Sequence, residues 1–104
     1  MSYQTIIDQI RNSLQTAYRQ GIDADAVLDQ IQKDGQGKFA AIFTSEAGFS
    51  TDSNRFGPYV KEMGQSLIDF EANPSNDQLA TLVKQLELLL TTLAQFRQQV
   101  KATK

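Results

Sequence analysis

The chain has 104 residues, a formal net charge of −2, and neither a histidine nor a cysteine. A chain of this length supports a single hydrophobic core, so we expect one domain spanning residues 1–104. The missing residue types exclude disulfide bonds and nucleophilic sites of the Ser-His or Cys-His kind, and they leave a zinc site with carboxylate ligands alone.

Charge and hydropathy patterns favour a cytoplasmic protein with no membrane or nucleic-acid partner. The basic residues are scattered, apart from Lys84, Arg97, Lys101 and Lys104 near the end of the chain, where cations complement a helix dipole. The longest apolar run, residues 39–43, is too short for a membrane span. The N-terminus also lacks the pattern of a signal peptide.

The first predicted helix runs from Ser2 to Gln20. Its apolar stripe has alternating spacings of three and four residues, with Ile6 and Tyr18 on its flanks. Ser2 is the candidate N-cap, and Gly21 suits the left-handed residue that follows a last helical turn. The stripe consists of Tyr3, Ile7, Ile10, Leu14 and Ala17.

A second, shorter helix is predicted to follow. Asp23 is a good N-cap, Asp25 adds negative charge to the first turn, and Ile22 with Val27 fits a hydrophobic staple. The glycines within residues 33–37 would end this helix. Its buried side would consist of Val27, Leu28 and Ile31.

Residues 38–46 have two interpretations. Phe39, Ile42 and Phe43 follow a helical spacing, but the apolar stretch is also short enough to be a strand. Helix is the favoured interpretation. Residues 47–57 are rich in Gly, Ser, Asp and Asn, so we expect a long loop there.

A further helix is predicted from Pro58, because proline is tolerated in a first helical turn. Tyr59 and Ile68 lie on the shoulders of its stripe. Gly64 lies beside the stripe, and a mid-helix glycine costs about 1 kcal/mol relative to alanine. We therefore expect a neighbouring helix to approach closely at Gly64. The stripe consists of Val60, Met63, Leu67 and Phe70.

The last helix is predicted to follow one of two caps, Asn73 with Pro74 or Ser75 with Gln78, and to end near Ala102. Written as heptads, it is apolar at a and d and partly at e, which is typical of a helix packed against several others. These positions are Leu79, Leu82, Val83, Leu86, Leu89, Leu90, Leu93, Phe96 and Val100.

Together these segments predict an all-α fold, an antiparallel bundle of four to five helices with long, paired terminal helices. The expected core is drawn from the apolar stripes of all segments. It consists of Ile7, Ile10, Leu14, Leu28, Ile31, Ile42, Val60, Met63, Leu67, Leu82, Leu86, Leu89 and Leu93.

Helix lengths predict a homodimer. At 1.5 Å per residue the last helix would be about 40 Å long and the first about 27 Å, so an apolar overhang would need cover from the shorter segments or from a second chain. A second chain is the favoured interpretation. We expect the interface on the C-terminal half of the last helix, with glutamines at its rim. Its centre would be Leu90, Leu93, Phe96 and Val100.

Three rings and an arginine lie in or beside the polar loop, a residue set enriched at binding sites. One interpretation is a secondary binding loop, and the favoured one is that the rings fold inward to cap the bundle. The residues are Phe49, Arg55, Phe56 and Tyr59.

No motif specifies a metal, a cofactor or a catalytic group. The acidic stretches that begin at Asp23, Asp52 and Asp69 all fail the spacing of a calcium loop, and residues 33–38 lack the order of a phosphate loop. Asp69 and Glu71 diverge if they lie on a helix, so they do not form an acid–base pair. We expect no enzyme, no cofactor and no metal site.

The leading functional interpretation is a non-catalytic protein-interaction module, an adaptor or regulatory subunit with an unidentified protein partner. The alternative is a bundle that binds a small apolar ligand or lipid between helices near Phe39, Phe43 and Met63. A third interpretation, nucleic-acid binding, would use the basic residues of the last helix.

Overall fold

The computed structural model describes residues 3–33, 42–43 and 47–102, with side chains up to residue 99. Most of the segment 38–46, expected as a helix or a strand, therefore lies outside the described residues. So do Ser2, the candidate first N-cap, and the glycines expected to end the second helix.

The described residues form three helices and no strand, which confirms the all-α class. The expected bundle of four to five helices is wrong for this part of the chain, because the first two predicted helices are one. The helices are α1 (Gln4–Lys33), α2 (Phe56–Ala72) and α3 (Asn76–Ala102).

The first helix passes through Gly21 without a break, so the predicted end at Gly21 and the N-cap at Asp23 are both wrong. Gly21 and Ala24 are buried and continue the stripe of the preceding turns. Packing of this stripe against α2 offsets the cost of about 1 kcal/mol of a mid-helix glycine. Ile22, expected in a hydrophobic staple, is instead 53% exposed.

The three helices run up, down and up. Arg11 near the start of α1 binds Glu71 at the end of α2, and Asp25 farther along α1 binds the first residues of α2, so these helices are antiparallel. The Tyr3 hydroxyl donates to Asn76 Oδ1 at 2.8 Å, which places the starts of α1 and α3 together. The two terminal helices are the longest and pack on one another, as expected.

The core lies along the axis where the three stripes meet. Among the expected core residues, Ile31 and Ile42 are half-buried and the others are buried. Aromatic rings from the loop and from the first turns of α2 add to it, which is why the core extends beyond the predicted stripes. The rings that join it are Phe43, Phe49, Phe56 and Tyr59.

The cap of α3 is Ser75, whose Oγ accepts a hydrogen bond from the Gln78 N–H at 3.1 Å. This confirms one of the two predicted caps. The helix after the loop begins at Phe56, two residues before the predicted start at Pro58. Across the described part of the chain, every helix is too short or too polar to cross a membrane.

Candidate functional site

A groove of about 390 Å³ runs between α1 and α2. Its walls carry large apolar side chains that remain accessible: Tyr18 and Ile68 are each 60% exposed. Ile22, one turn beyond Tyr18 on α1, is also exposed and extends the apolar surface. The lining residues are Arg11, Leu14, Gln15, Tyr18, Arg19, Val60, Gly64 and Ile68.

Gly64 opens the groove at its middle. Apart from its chain neighbours and the backbone of its own helix, a Cβ atom built on Gly64 would meet no described atom within 4 Å. The predicted close approach of a neighbouring helix is therefore wrong for these residues. The contact instead occurs at Gly21, where a Cβ would lie 3.5 Å from Phe56 Cβ. Packing within the bundle therefore does not explain the glycine at position 64.

Polar contacts fix both ends of the groove. At one end the Arg11 guanidinium binds Glu71 across the two helices and Asp8 on its own helix. At the other end Asp25 accepts hydrogen bonds from the backbone N–H groups of Phe56 at 2.6 Å and Gly57 at 2.9 Å. Asp25 was expected to serve its own helix, but it caps the N-terminus of α2.

The edges of the groove carry positive charge. Arg11 and Arg19 are both among its lining residues, and no acidic residue is. Lys61 is exposed on α2, three residues before Gly64 and seven before Ile68, and this spacing places it on the same side of the helix. Neither Arg19 nor Lys61 forms an ion pair with a described residue.

The opposite groove, between α2 and α3, is covered by the loop that precedes α2. Glu62 on α2 accepts hydrogen bonds from the backbone N–H groups of Ser50 at 2.8 Å and Thr51 at 2.6 Å. On the α3 side, Ala47 lines an open depression of about 410 Å³ with Leu88, and this depression also contains the charged residues Lys84 and Glu87. The loop leaves the α1–α2 side uncovered over the residues described.

The pKa of Glu62 lies below its ordinary value of 4.5. Burial raises the pKa, but hydrogen bonds from the Thr51 side chain and from the backbone of Ser50 and Thr51 outweigh it. The ionised carboxylate is thus the form that holds the loop against α2.

The residues predicted as a secondary binding loop are turned inward. Phe49 and Tyr59 pack edge to face at 5.1 Å and both contact the ring of Phe43. Phe56 is 2% exposed. Arg55, with 18% of its side chain exposed, binds Asp29 on α1. Of the two interpretations of this loop, the structure supports rings that cap the bundle.

The predicted dimer interface lies partly inside the monomer. Leu93 is fully buried, and Leu90 and Phe96 are half-buried. The Phe96 ring lies 5.7 Å from that of Phe56, and the side chain of Val100 is outside the described residues. The overhang is also absent, because α1 has 30 residues and α3 has 27.

The apolar patterns of the sequence identify side chains of the groove but do not predict the groove itself. Tyr18 and Ile68 were assigned to the flanks of two apolar stripes, where side chains are expected to be covered by a third element. In the structure the two flanks face the same side of the bundle, and no described element covers them. The lone glycine at position 64 marks the same place.

Over its described residues the protein is thus a three-helix bundle with an open, basic-edged groove between α1 and α2. Within that part of the chain no cluster of three or more acidic side chains could hold a metal ion. Comparisons of the chain with protein-family models, with curated proteins and with solved structures give no match. The groove is therefore the candidate functional site.

Proposed function

We propose that this protein is a non-catalytic protein-interaction module, and that its partner binds in the groove between α1 and α2. The observation that carries the proposal is the exposure of Tyr18, Ile22 and Ile68 on one side of the bundle. Exposed apolar side chains gathered around a concave surface are characteristic of protein interfaces. The fixed ends of the groove keep that surface formed before a partner binds.

Site-specific photo-crosslinking tests the proposal. A benzophenone amino acid replaces Tyr18 in the groove and, as the matched control, Leu88, which is 38% exposed on α3. We expect a discrete protein adduct from position 18 in the cells that naturally produce the chain, and none from position 88. Equal labelling from both positions, or no adduct from position 18, rejects the groove as the interaction surface.

A small apolar ligand is the second candidate function. The groove volume of about 390 Å³ lies within the range of about 300–1,000 Å³ that is typical of ligand sites. The pocket expected near Phe39, Phe43 and Met63 is a weaker place, because Met63 is fully buried and Phe43 packs in the ring cluster, while Phe39 lies outside the described residues. Native mass spectrometry of the purified chain would detect a retained ligand.

Self-association through the C-terminal half of α3 is a separate proposal. The partial exposure of Leu90 and Phe96 supports it, while the buried Leu93 is not available to a second copy. Light scattering at high protein concentration decides it. A mass of one 11.6-kDa chain rejects the homodimer and leaves the α1–α2 groove as the candidate surface.

A further inference from the structure

We infer that the partner presents an amphipathic helix with acidic side chains beside its apolar stripe, and that this helix lies along α1 and α2 as a fourth helix. The inference rests on the proposed function, since it names the chemistry of the partner for the same groove. Three features of the groove carry it: its charge, its length and the glycine at its middle.

The charge selects an acidic partner. The chain as a whole has a net charge of −2, and Arg11 is already paired with Asp8 and Glu71 at one end of the groove. Arg19 also lines the groove, and no acidic residue does. Lys61 lies on the α2 side, and neither Arg19 nor Lys61 has an ion-pair partner among the described residues. A helix with Glu or Asp on both sides of its stripe would meet these cations.

The length of the groove and the open space at Gly64 suit a helix. From Arg11 to Arg19 the groove follows α1 for about 12 Å. The exposed Ile22 extends the apolar surface to about 17 Å, which is three turns of a helix laid beside it. The absence of any described atom within 4 Å of a Cβ at Gly64 leaves room for an apolar side chain of the partner to enter between Tyr18 and Ile68. Leucines one turn apart would fill such a surface.

A second copy of this chain fits the groove less well. In a two-fold contact whose axis runs along the groove, Arg19 and Lys61 of one copy would lie near the same residues of the other. Such like-charge juxtaposition opposes association. The groove is therefore assigned to a different, acidic chain.

Two synthetic peptides of roughly 16 residues test the inference on the full chain. Isolated helices of about this length are marginally stable in water, so binding to the groove would order the peptide. Both carry leucines on one helical stripe, and the flanking positions are Glu in one and Lys in the other. By fluorescence anisotropy we expect the Glu peptide to bind at least about tenfold more tightly, a preference that shrinks as salt is raised.

Variants locate the binding. Because Arg19 and Lys61 are exposed, the double variant Arg19→Glu, Lys61→Glu should fold and should reverse the peptide preference. Gly64→Leu should weaken the Glu peptide at least about tenfold by filling the groove, with circular dichroism confirming that the helices are intact. Leu88→Glu, on α3, is the control and should bind as the wild type does.

The outcomes separate the inference from the proposed function. Equal binding of both peptides, or binding unchanged by the groove variants, overturns the acidic helix. Failure of both peptides together with a protein adduct at position 18 overturns the acidic helix and keeps the interaction module. Failure of both peptides and of the crosslink overturns both. A groove-dependent adduct with a second copy of the chain also overturns the acidic helix.

Discussion

Asp25 joins two helices through backbone hydrogen bonds. Its carboxylate accepts hydrogen bonds from the backbone N–H groups of Phe56 and Gly57. These are among the N–H groups at the start of a helix that have no partner within the helix. The residue at the N-cap position, Arg55, makes no such bond with its own side chain. The negative charge also complements the positive end of the α2 dipole.

Asp25→Ala should lower the free energy of unfolding by about 1–2 kcal/mol, the cost of losing a helix cap. Urea denaturation followed by circular dichroism measures this change. Asp23→Ala removes an exposed acid from the same helix and is the control, expected within about 0.5 kcal/mol of the wild type. Equal effects of the two variants would show that Asp25 acts through charge alone.

Glu62 should make stability depend on pH in acid. Its pKa is lowered in the folded protein, so the ionised form contributes stability that is present above the unfolded pKa, near 4.5, and is lost as the pH falls through the folded pKa. We expect the wild type to have a higher free energy of unfolding than Glu62→Gln at pH 7. This difference should shrink as the pH falls below about 4.5. A difference that is constant from pH 7 to pH 3 contradicts this role.

At the scale of the helices, the glycines have different surroundings. A Cβ at Gly64 meets open space, whereas a Cβ at Gly57 would lie 3.2 Å from the Asp25 carboxylate oxygen. Gly64→Ala should therefore raise the free energy of unfolding by about 0.5–1 kcal/mol, the difference in helix propensity. Gly57→Ala should lower it, because the carboxylate must shift. Thermal unfolding of both variants tests the pair, and a destabilised Gly64→Ala would show that the helices pack at position 64.

Helix boundaries show what could be predicted from the sequence. The stripe of α2 and the cap at Ser75 follow from local spacing and hydrogen bonding, and both were correct. The predicted helix end at Gly21 was wrong, because tertiary packing can keep the chain helical through a glycine. Here Gly21 packs against Phe56 and Val60 of a helix some 35 positions later, a contact that local patterns do not contain.

At the scale of the molecule, the bundle is long and thin. Its Cα atoms extend 50 × 23 × 16 Å with a radius of gyration of 14.8 Å, against about 13 Å for a typical chain of 100 residues. The groove runs along the long axis, because α1 and α2 form two of its sides. Its existence could not be predicted from the sequence, since the flanks of two stripes form a groove only if no third element covers both.

The same geometry decides how Phe96 should behave. Its ring packs against Phe56 at the first turn of α2, so it ties α3 to the end of α2 that Asp25 caps. Phe96→Asp removes this contact and places a charge beside a buried ring. We expect the free energy of unfolding to fall by about 1–3 kcal/mol.

Gln95→Asp adds the same charge at the neighbouring exposed position and is the control, expected to change stability little. Urea denaturation and light scattering on both variants distinguish a role of Phe96 in the core of one chain from a role in a dimer interface. A Phe96→Asp protein that keeps wild-type stability but falls from two chains to one would assign Phe96 to a dimer interface. The contact with Phe56 within the same chain predicts that Phe96→Asp loses stability, and the mass of the wild type shows whether the exposed part of the ring also contacts a second copy.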